Sequence, residues 1–165
     1  AGQTPACTPA EFNLMRLSDV SQKAFSTLTD VKFFAVGGVG YSAETSEGEK
    51  ALRTLLREPE AAEAFKSLLS RANPEGRLYA LLGLRFADRY AYNKARTTPE
   101  PPLRDGLLRG GFLKLDAGMV RVMEGCVGGT RAWKDILKEI DAGRYDWSFE
   151  PPPPRGNLTR CVRAP

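Results

Sequence analysis

The 165-residue chain contains no histidine, and this absence limits the chemistry that its side chains can perform. A Ser-His-Asp triad, a Cys-His pair, an HExxH zinc site and the usual mixed Cys/His zinc sites all require an imidazole. Acid–base chemistry would have to use carboxylates, lysine, tyrosine or cysteine instead. The sequence therefore predicts no catalytic residue, no metal site and no cofactor, and it favours a non-enzymatic protein.

The most distinctive short pattern is a glycine-rich segment formed by Gly37, Gly38, Gly40, Tyr41 and Ser42. It precedes a predicted helix, and the exposed N–H groups and dipole of a helix N-terminus favour an anion. The pattern matches neither GxxxxGK[ST] nor GxGxxG. These five residues are candidates for binding a small ligand or a phosphate. The alternative interpretation is a tight turn at which backbones pack closely.

Glutamates cluster at the starts of two predicted helices. Glycoside hydrolysis needs two carboxylates placed across a cleft, and a cluster on one helical turn does not provide that arrangement. Such residues are expected to complement the helix dipole as solvated or capping charges. Asp88-Arg89 is expected to be a surface or interhelical ion pair. The two clusters comprise Glu44, Glu47, Glu49, Glu58, Glu60 and Glu63.

The three cysteines, Cys7, Cys126 and Cys161, lie far apart and form no CxxC pair. A disulfide from Cys161 to Cys126 or to Cys7 would fasten the C-terminal tail in an oxidising compartment. Together with a first residue, Ala1, that is not Met, this favours a periplasmic or secreted protein. A cytoplasmic protein with three reduced thiols is the alternative.

Cys126 is also a candidate nucleophile, because it comes shortly before a predicted helix whose dipole would activate a thiol. Its apolar neighbours favour a buried or bridged cysteine instead. An enzyme that works without histidine, through Cys126 or through the glutamates, is therefore the second alternative function.

Aromatic residues cluster with arginine near the end of one predicted helix, as Arg85, Arg89, Tyr90 and Tyr92. Arginine stacks on aromatic rings, and both residue types are enriched in binding hot spots. These four residues are the candidate interaction surface, and a core or anchoring role is the alternative. A second aromatic cluster, within residues 145–149, is expected to hold the C-terminal segment against the helices.

Composition favours one globular domain. The chain is 42% hydrophobic and 27% charged, and its net charge is +4. Basic residues are interspersed with acidic ones, so the stripe that nucleic-acid binding requires is missing. No apolar run approaches the roughly 20 residues of a membrane helix.

Apolar residues at spacings of three and four, together with capping residues, predict helices through the middle of the chain. One helix over residues 17–28 is capped by Ser18 or Asp19. The next begins at a Ser46/Glu49 capping box and stops before Pro59. Two further helices begin with proline in the first turn, at Pro59 and at Asn73-Pro74, and the last of these extends to Phe86.

The remaining segments are less regular. Residues 31–41 fit a strand or a buried helix turn, and both interpretations stay open. Residues 103–115 are expected to be helical, and residues 118–129 are apolar but interrupted by glycine. Thr130 is expected to cap a final helix that Gly143 ends. Pro151–Pro154 predicts extended polyproline II.

The helix series over residues 46–86 contains an internal echo. Glu47-Gly48 and Glu75-Gly76 open two helices 28 positions apart, and both helices reach a Leu-Arg pair. This series, about a quarter of the chain, resembles HEAT or armadillo helical repeats, although it carries no diagnostic repeat motif. The resemblance implies a scaffold that binds a protein or a peptide, and it transfers no site residues.

The expected fold is all-α, a compact HEAT-like array of antiparallel helix hairpins. Residues 1–150 form a single domain with an irregular lead-in to about residue 15, and residues 151–165 form a proline-rich tail. The expected function is a non-enzymatic scaffold or protein-interaction domain. The first alternative is a ligand- or phosphate-binding protein that uses residues 37–42.

Overall fold

A computed structural model describes residues 12–97 and 118–149. In this part of the chain the fold is mainly α, but two small antiparallel sheets make the all-α prediction wrong. The helices are α1 (Asp19–Thr29), α2 (Glu47–Leu56), α3 (Ala61–Arg71), α4 (Pro74–Ala87), α5 (Arg89–Arg96) and α6 (Trp133–Asp141). The strands are β1 (Gly38–Val39), β2 (Glu44–Thr45), β3 (Met119–Glu124) and β4 (Val127–Ala132), and Leu14–Arg16 and Asp146–Ser148 form 3-10 turns.

Three predictions lie outside the described residues: the helix at 103–115, the polyproline segment at 151–154 and most of the N-terminal lead-in. None of the helices in residues 12–97 and 118–149 has the length and apolar character needed to cross a bilayer.

Side-chain caps set the starts of three helices, as the sequence predicts. The Ser18 hydroxyl accepts from the Ser21 N–H at 3.3 Å, and the Ser46 hydroxyl accepts from the Glu49 N–H at 3.1 Å. The Asn73 amide oxygen accepts from the Gly76 N–H at 2.8 Å. Each bond satisfies an N–H group that the first helical turn would leave unpaired.

Two helix starts differ from the prediction. α3 begins at Ala61 rather than at Pro59, and its first turn has no side-chain cap. α5 is a separate helix rather than a continuation of α4, because Asp88 adopts an extended conformation and caps α5 through the Ala91 N–H at 3.0 Å. Asp88 is therefore the single residue that joins α4 to α5. The expected ion pair between Asp88 and Arg89 does not form.

α4 is the central helix of the fold. It packs against α1, α2, α3, α5, α6 and β3, and every residue from Leu78 to Leu84 is buried. A helix that is apolar around its whole circumference must be enclosed in this way. The other elements thus share a common core built around α4.

Close packing at two helix starts accounts for the Glu-Gly echo in the sequence. A Cβ atom on Gly48, in α2, would lie 2.5 Å from the Tyr79 ring. A Cβ atom on Gly76, in α4, would lie 1.9 Å from the Leu28 carbonyl oxygen. Both glycines therefore let a helix start approach a neighbour more closely than a side chain allows.

Residues 31–37 form neither of the two structures that the sequence left open. They are an irregular segment in which the Phe34 N–H donates to the Arg121 carbonyl at 2.8 Å. The Met123 N–H donates to the Phe34 carbonyl at 3.1 Å. Phe34 thus forms an isolated parallel bridge with Val122 of β3. The buried Tyr79 hydroxyl accepts from the Ala35 N–H at 2.9 Å and donates to its carbonyl at 2.6 Å.

The glycine-punctuated stretch of residues 118–129 folds into the β3–β4 hairpin. The register runs from Met119 opposite Ala132 to Glu124 opposite Val127, and Gly125 adopts a φ of 58° in the two-residue turn. Thr130 therefore lies in β4, and the prediction that it caps the final helix is wrong. Helix α6 follows β4 directly and ends before Gly143, as predicted, where φ is 76°.

A buried carboxylate fastens this hairpin to the helical core. Glu75, in the first turn of α4, is 2% exposed and accepts from the Arg121 backbone N–H at 2.9 Å and from Arg121 Nε at 3.0 Å. The two bonds compensate for removing the charge from water. The position of β3 thus depends on the N-terminus of α4.

Substituting Gly76→Ala is expected to lower the free energy of unfolding. The new methyl group would overlap the Leu28 carbonyl, and such overpacking costs about 1–3 kcal/mol, more than the roughly 1 kcal/mol that alanine gains in helix propensity. Urea unfolding measures the change. The matched control is Gly129→Ala, whose added Cβ meets no atom within 4 Å, and it should change the free energy by less than about 0.5 kcal/mol.

Burial raises the pKa of Tyr79 to about 12, from the ordinary value of 10.0. The unfolded chain therefore loses this proton before the folded chain does, so stability should fall as the pH rises from about 10 to about 12. Urea unfolding at a series of alkaline pH values measures the loss. The Tyr79→Phe variant should lose less stability over this range, and a profile parallel to wild type would contradict the assignment.

Candidate functional site

The structure keeps the glycine-rich residues 37–42 together at the β1–β2 hairpin. The Gly37 N–H donates to Glu49 Oε2 at 2.7 Å, and the Gly40 N–H donates to the Gly125 carbonyl at 2.9 Å. Both glycines have positive φ values, 102° and 72°. Tyr41 is fully exposed, and Ser42 is also exposed. Two of the amide donors that a phosphate would need are thus already bonded within the protein, which favours a structural role for this segment.

Glu49 is not the solvated or capping charge that the sequence predicts. It is 2% exposed, and besides Gly37 it accepts from Arg53 Nε at 3.0 Å and from Arg53 Nη2 at 2.7 Å. Arg53 also donates to the Ser148 carbonyl, and its guanidinium lies 4.9 Å from the centre of the Phe149 ring. Buried Glu49 therefore links the glycine-rich segment to the last described residues of the chain.

The aromatic cluster at residues 145–149 packs on the core, as expected, except at one position. The Tyr145 ring lies 5.5 Å from the Phe34 ring, and the Phe149 ring lies 5.1 Å from the Phe86 ring. Trp147 is exposed, and its ring covers the backbone of Gly37. These contacts hold the segment after α6 against the helices.

The three glutamates of the second cluster, Glu58, Glu60 and Glu63, each contact a polar or basic side chain of the surrounding structure. Glu58 accepts from the hydroxyls of Ser21 and Ser18, and these two hydrogen bonds lower its pKa. Glu60 pairs with Arg16, and Glu63 pairs with Lys66. Among residues 12–97 and 118–149, no group of three or more acidic, cysteine or histidine side chains is placed to hold a metal ion.

Outside these clusters, Glu139 is the carboxylate with the most hydrogen-bond donors around it. Partial burial opposes its ionisation, but hydrogen bonds from Arg131 and Tyr145 and the charge of Arg144 outweigh that effect and lower its pKa. Arg131 Nη2 lies 2.6 Å from Glu139 Oε1, and the Tyr145 hydroxyl lies 2.5 Å from Oε2. A carboxylate held ionised in this way is a poor proton donor at neutral pH.

Cys126 lies exposed in the turn of the β3–β4 hairpin. β4 separates it from the start of α6, so the helix N-terminus does not activate this candidate nucleophile. Of the two states that the sequence favoured, buried or bridged, burial is wrong. Cys7 and Cys161 lie outside the described residues. The disulfide and the exported location therefore stay predictions.

The predicted interaction surface of Arg85, Arg89, Tyr90 and Tyr92 divides into two pairs. Arg85 donates to Asp146 through Nε at 3.1 Å and Nη2 at 2.9 Å. Tyr92 is 1% exposed and donates to Asp141 at 2.5 Å, and burial together with this carboxylate raises its pKa. Arg89 and Tyr90 are exposed. Arg85 and Tyr92 anchor α4 and α5 to α6 and to the residues that follow it. These two residues therefore match the alternative interpretation, a core or anchoring role.

A concave feature of the described structure lies between α3, α4, α5 and α6. It is an open groove of about 560 Å³, which we call the α5 groove. Its lining is mainly apolar, with charged and polar groups at its edges. The apolar lining residues are Leu69, Leu81, Leu84, Ala91, Ala95, Trp133 and Leu137, and the edges carry Lys66, Ser70, Arg77, Asp88, Tyr90, Lys94 and Arg96.

The short helix α5 is held as a fixed wall of this groove. An eight-residue helix is marginal by itself. Its N-terminal end is fixed by Asp88, which lies 3.6 Å from Lys66 Nζ on α3. Towards its C-terminal end, Asp141 of α6 accepts from the Tyr92 hydroxyl and from Arg96 Nη1, the latter at 3.1 Å.

Most of the groove was not predicted from the sequence, because its residues come from four helices. Among the edge residues, the sequence pattern singled out Tyr90 as part of an interaction surface and Asp88 as part of an ion pair. The spacing of Ala91 and Ala95, one helical turn apart beside Lys94 and Arg96, was the available signal for a shallow apolar face with a basic edge.

Comparison with protein-family models, with characterised proteins and with solved structures finds no match to this chain. What the α5 groove binds is therefore argued from its own shape and charge. Sites that take ligands are typically concave and mainly apolar, with a few polar groups, and the α5 groove has these properties.

The Tyr92→Phe substitution is expected to loosen α5, because it removes a hydrogen bond to an ionised carboxylate. Such bonds contribute about 1.5–3 kcal/mol. Hydrogen exchange should speed up over residues 89–96 more than over α1. The matched control is Tyr90→Phe, since Tyr90 is 81% exposed. Equal protection in both variants would contradict the role given to Tyr92.

Proposed function

We propose that this chain is a protein-interaction domain whose α5 groove binds an apolar segment of a partner protein that carries acidic residues. The observation that supports this proposal is a groove of about 560 Å³ with an apolar floor and cationic edges. No catalytic step is assigned to it.

The apolar floor supports a partner that buries hydrophobic side chains. Leu81 and Leu84 of α4, with Trp133 and Leu137 of α6, line the groove beside the alanines of α5. The eight residues of α5 extend about 12 Å, which matches roughly two turns of a docked helix. Amphipathic helices bind to grooves of this kind through residues at spacings of three and four.

The charge at the edges supports acidic residues on that partner. Four cationic side chains line the groove, Lys66, Arg77, Lys94 and Arg96, and the one lining carboxylate is Asp88. Lys66 pairs with Glu63 and Asp88, and Arg96 pairs with Asp141. Cationic side chains outnumber carboxylates among the residues that line the groove, and complementary charge speeds encounter and selects partners.

The HEAT-like arrangement implied by the sequence resemblance belongs to the same proposal. α2, α3 and α4 follow one another through short connections, and α3 packs on α4. Helical repeats of that kind bind partners along exposed helix faces. The α5 groove would then be an addition beyond the repeat-like helices.

The test is binding of synthetic 15-residue peptides with leucine at positions i, i+3, i+4 and i+7 and two glutamates, measured by fluorescence anisotropy with the full chain. Ala95→Phe fills the groove and should weaken binding at least about tenfold, since it removes apolar contacts worth more than 1.4 kcal/mol. Lys94→Glu should weaken binding about 5- to 10-fold by charge reversal.

The matched control is Lys23→Glu, an exposed charge reversal on α1, which should leave the affinity unchanged. Thermal unfolding confirms that each variant is folded. Wild-type binding that survives both groove substitutions, or an absence of binding for every peptide, would contradict the proposal.

A further inference from the structure

The β3–β4 hairpin has one edge that is covered and one that is open. On the β3 edge, the Phe34 N–H donates to the Arg121 carbonyl at 2.8 Å, and the Met123 N–H donates to the Phe34 carbonyl at 3.1 Å. Glu75 accepts from the Arg121 N–H on the same edge. In the part of the chain that the structure describes, β3 is the one strand that pairs with β4. The outer edge of β4 is therefore open within the described residues.

The register of the hairpin shows which backbone groups of β4 lie on the open edge. In an antiparallel pair, opposed residues alternate between pairs that exchange both hydrogen bonds and pairs whose N–H and C=O groups point away from each other. Arg121 and Met123 bond away from β4, so the residues opposite them, Thr130 and Gly128, also direct their N–H and C=O groups outwards. Gly128 and Thr130 are both exposed. This edge thus offers donors and acceptors at alternate residues, as a further strand requires.

β4 lacks the features that commonly protect strand edges. Such edges are blunted by lysine, proline, a bulge or a covering segment. The sequence of β4, VGGTRA, contains neither lysine nor proline, and its register with β3 runs without a bulge. Its one charged residue, Arg131, is engaged by Glu124 at 3.1 Å and by Glu139 at 2.6 Å. At Gly128 and Gly129 an added Cβ would meet no atom within 4 Å, so another backbone can approach closely there.

The sequence of β4 makes this edge complementary to itself. When a second β4 lies antiparallel with Gly129 opposite Gly129 of the second copy, Gly128 of each copy lies opposite Thr130 of the other. Both members of that pair direct their backbone groups outwards, so they can exchange both N–H···O bonds. The same register places Arg131 opposite Val127, which is 72% exposed, and so avoids placing two arginines opposite each other.

We infer that the open edge of β4 binds the same edge of a second copy of this chain, and that the two hairpins form one antiparallel sheet in the order β3–β4–β4–β3. A two-fold axis at Gly129 relates the two copies, as in most homodimers. β4 supplies six residues, whereas a standard interface contains about 20–30 residues a side, so the dimer should be weak and should form at high protein concentration. This inference does not depend on what the α5 groove binds.

The first experiment is sedimentation equilibrium of the full chain under reducing conditions, from about 10 µM to about 1 mM protein, a range that covers weak association. The average mass of wild type should rise with concentration towards that of a dimer. Thr130→Pro removes an outward N–H that β3 does not use, so it should weaken association at least about tenfold while the hairpin is retained. Thr130→Ala keeps this N–H and is the matched control, which should associate as wild type does.

Cross-linking tests the register separately. In a chain whose natural cysteines are replaced by serine, Gly129→Cys should form a disulfide-linked dimer on mild oxidation. The reason is that opposed residues which exchange no hydrogen bonds lie about 4.5 Å apart between Cα atoms, within the span of a disulfide. Gly128→Cys is the matched control and should cross-link at least about fivefold less, because Thr130 lies opposite it and cysteines more than about 7 Å apart between Cα atoms do not bridge.

Several results would overturn the proposal. A wild-type mass that stays that of the monomer at every concentration overturns it and leaves this edge to an extended segment of a different protein. A dimer that Thr130→Pro forms as readily as Thr130→Ala lies on another surface, which also overturns it, as does equal cross-linking at positions 128 and 129. If Thr130→Pro is unfolded by circular dichroism, the cross-linking pair alone decides. None of these results bears on peptide binding to the α5 groove.

Discussion

The hydroxyl of Tyr79 is a polar group in the middle of the central helix, and a buried hydroxyl must be hydrogen-bonded. Two of its bonds go to the backbone of Ala35, which has no regular secondary structure of its own, and the Ser46 hydroxyl is a third partner at 3.3 Å. That irregular segment is thereby fixed, and its neighbour Phe34 pairs with β3. β3 brings β4 and then α6 into place, since α6 follows β4 directly. The Tyr79 hydroxyl thus contributes, together with the Glu75–Arg121 contact, to the position of β3 and of the hairpin that α6 follows.

Buried carboxylates reinforce the same arrangement at both ends of the core. Glu49 joins the glycine-rich segment to Arg53, and Glu75 joins α4 to Arg121 of β3. Each carboxylate is almost fully buried, so removing either partner would leave a charge unpaired in the interior, which is strongly destabilising. These two ion pairs therefore fix which elements pack against each other, in addition to any contribution that they make to the free energy of unfolding.

Local signals in the sequence predicted the helix starts, and long-range pairing explains what they missed. Ser18, Ser46 and Asn73 each cap a helix within three residues, so the pattern is visible in a short window. β3 instead depends on Phe34, far away in sequence, and a strand fixed by a distant partner has no local signature. Glu49 shows the same limit of local sequence patterns. Its position in the first helical turn is typical of a residue that complements the helix dipole, and only the tertiary fold buries its carboxylate.

The composition of α5 shows why a groove exists beside it. Tyr92 and Arg96, one turn apart, face Asp141 of α6 and hold the helix in place. Ala91 and Ala95, offset by one residue, line the groove. Because alanine adds no bulk beyond Cβ, the space between α5 and the leucines of α4 stays open, and larger apolar residues at these two positions would close it. The same eight residues thus carry both the side chains that anchor α5 to α6 and the alanines that leave the groove open.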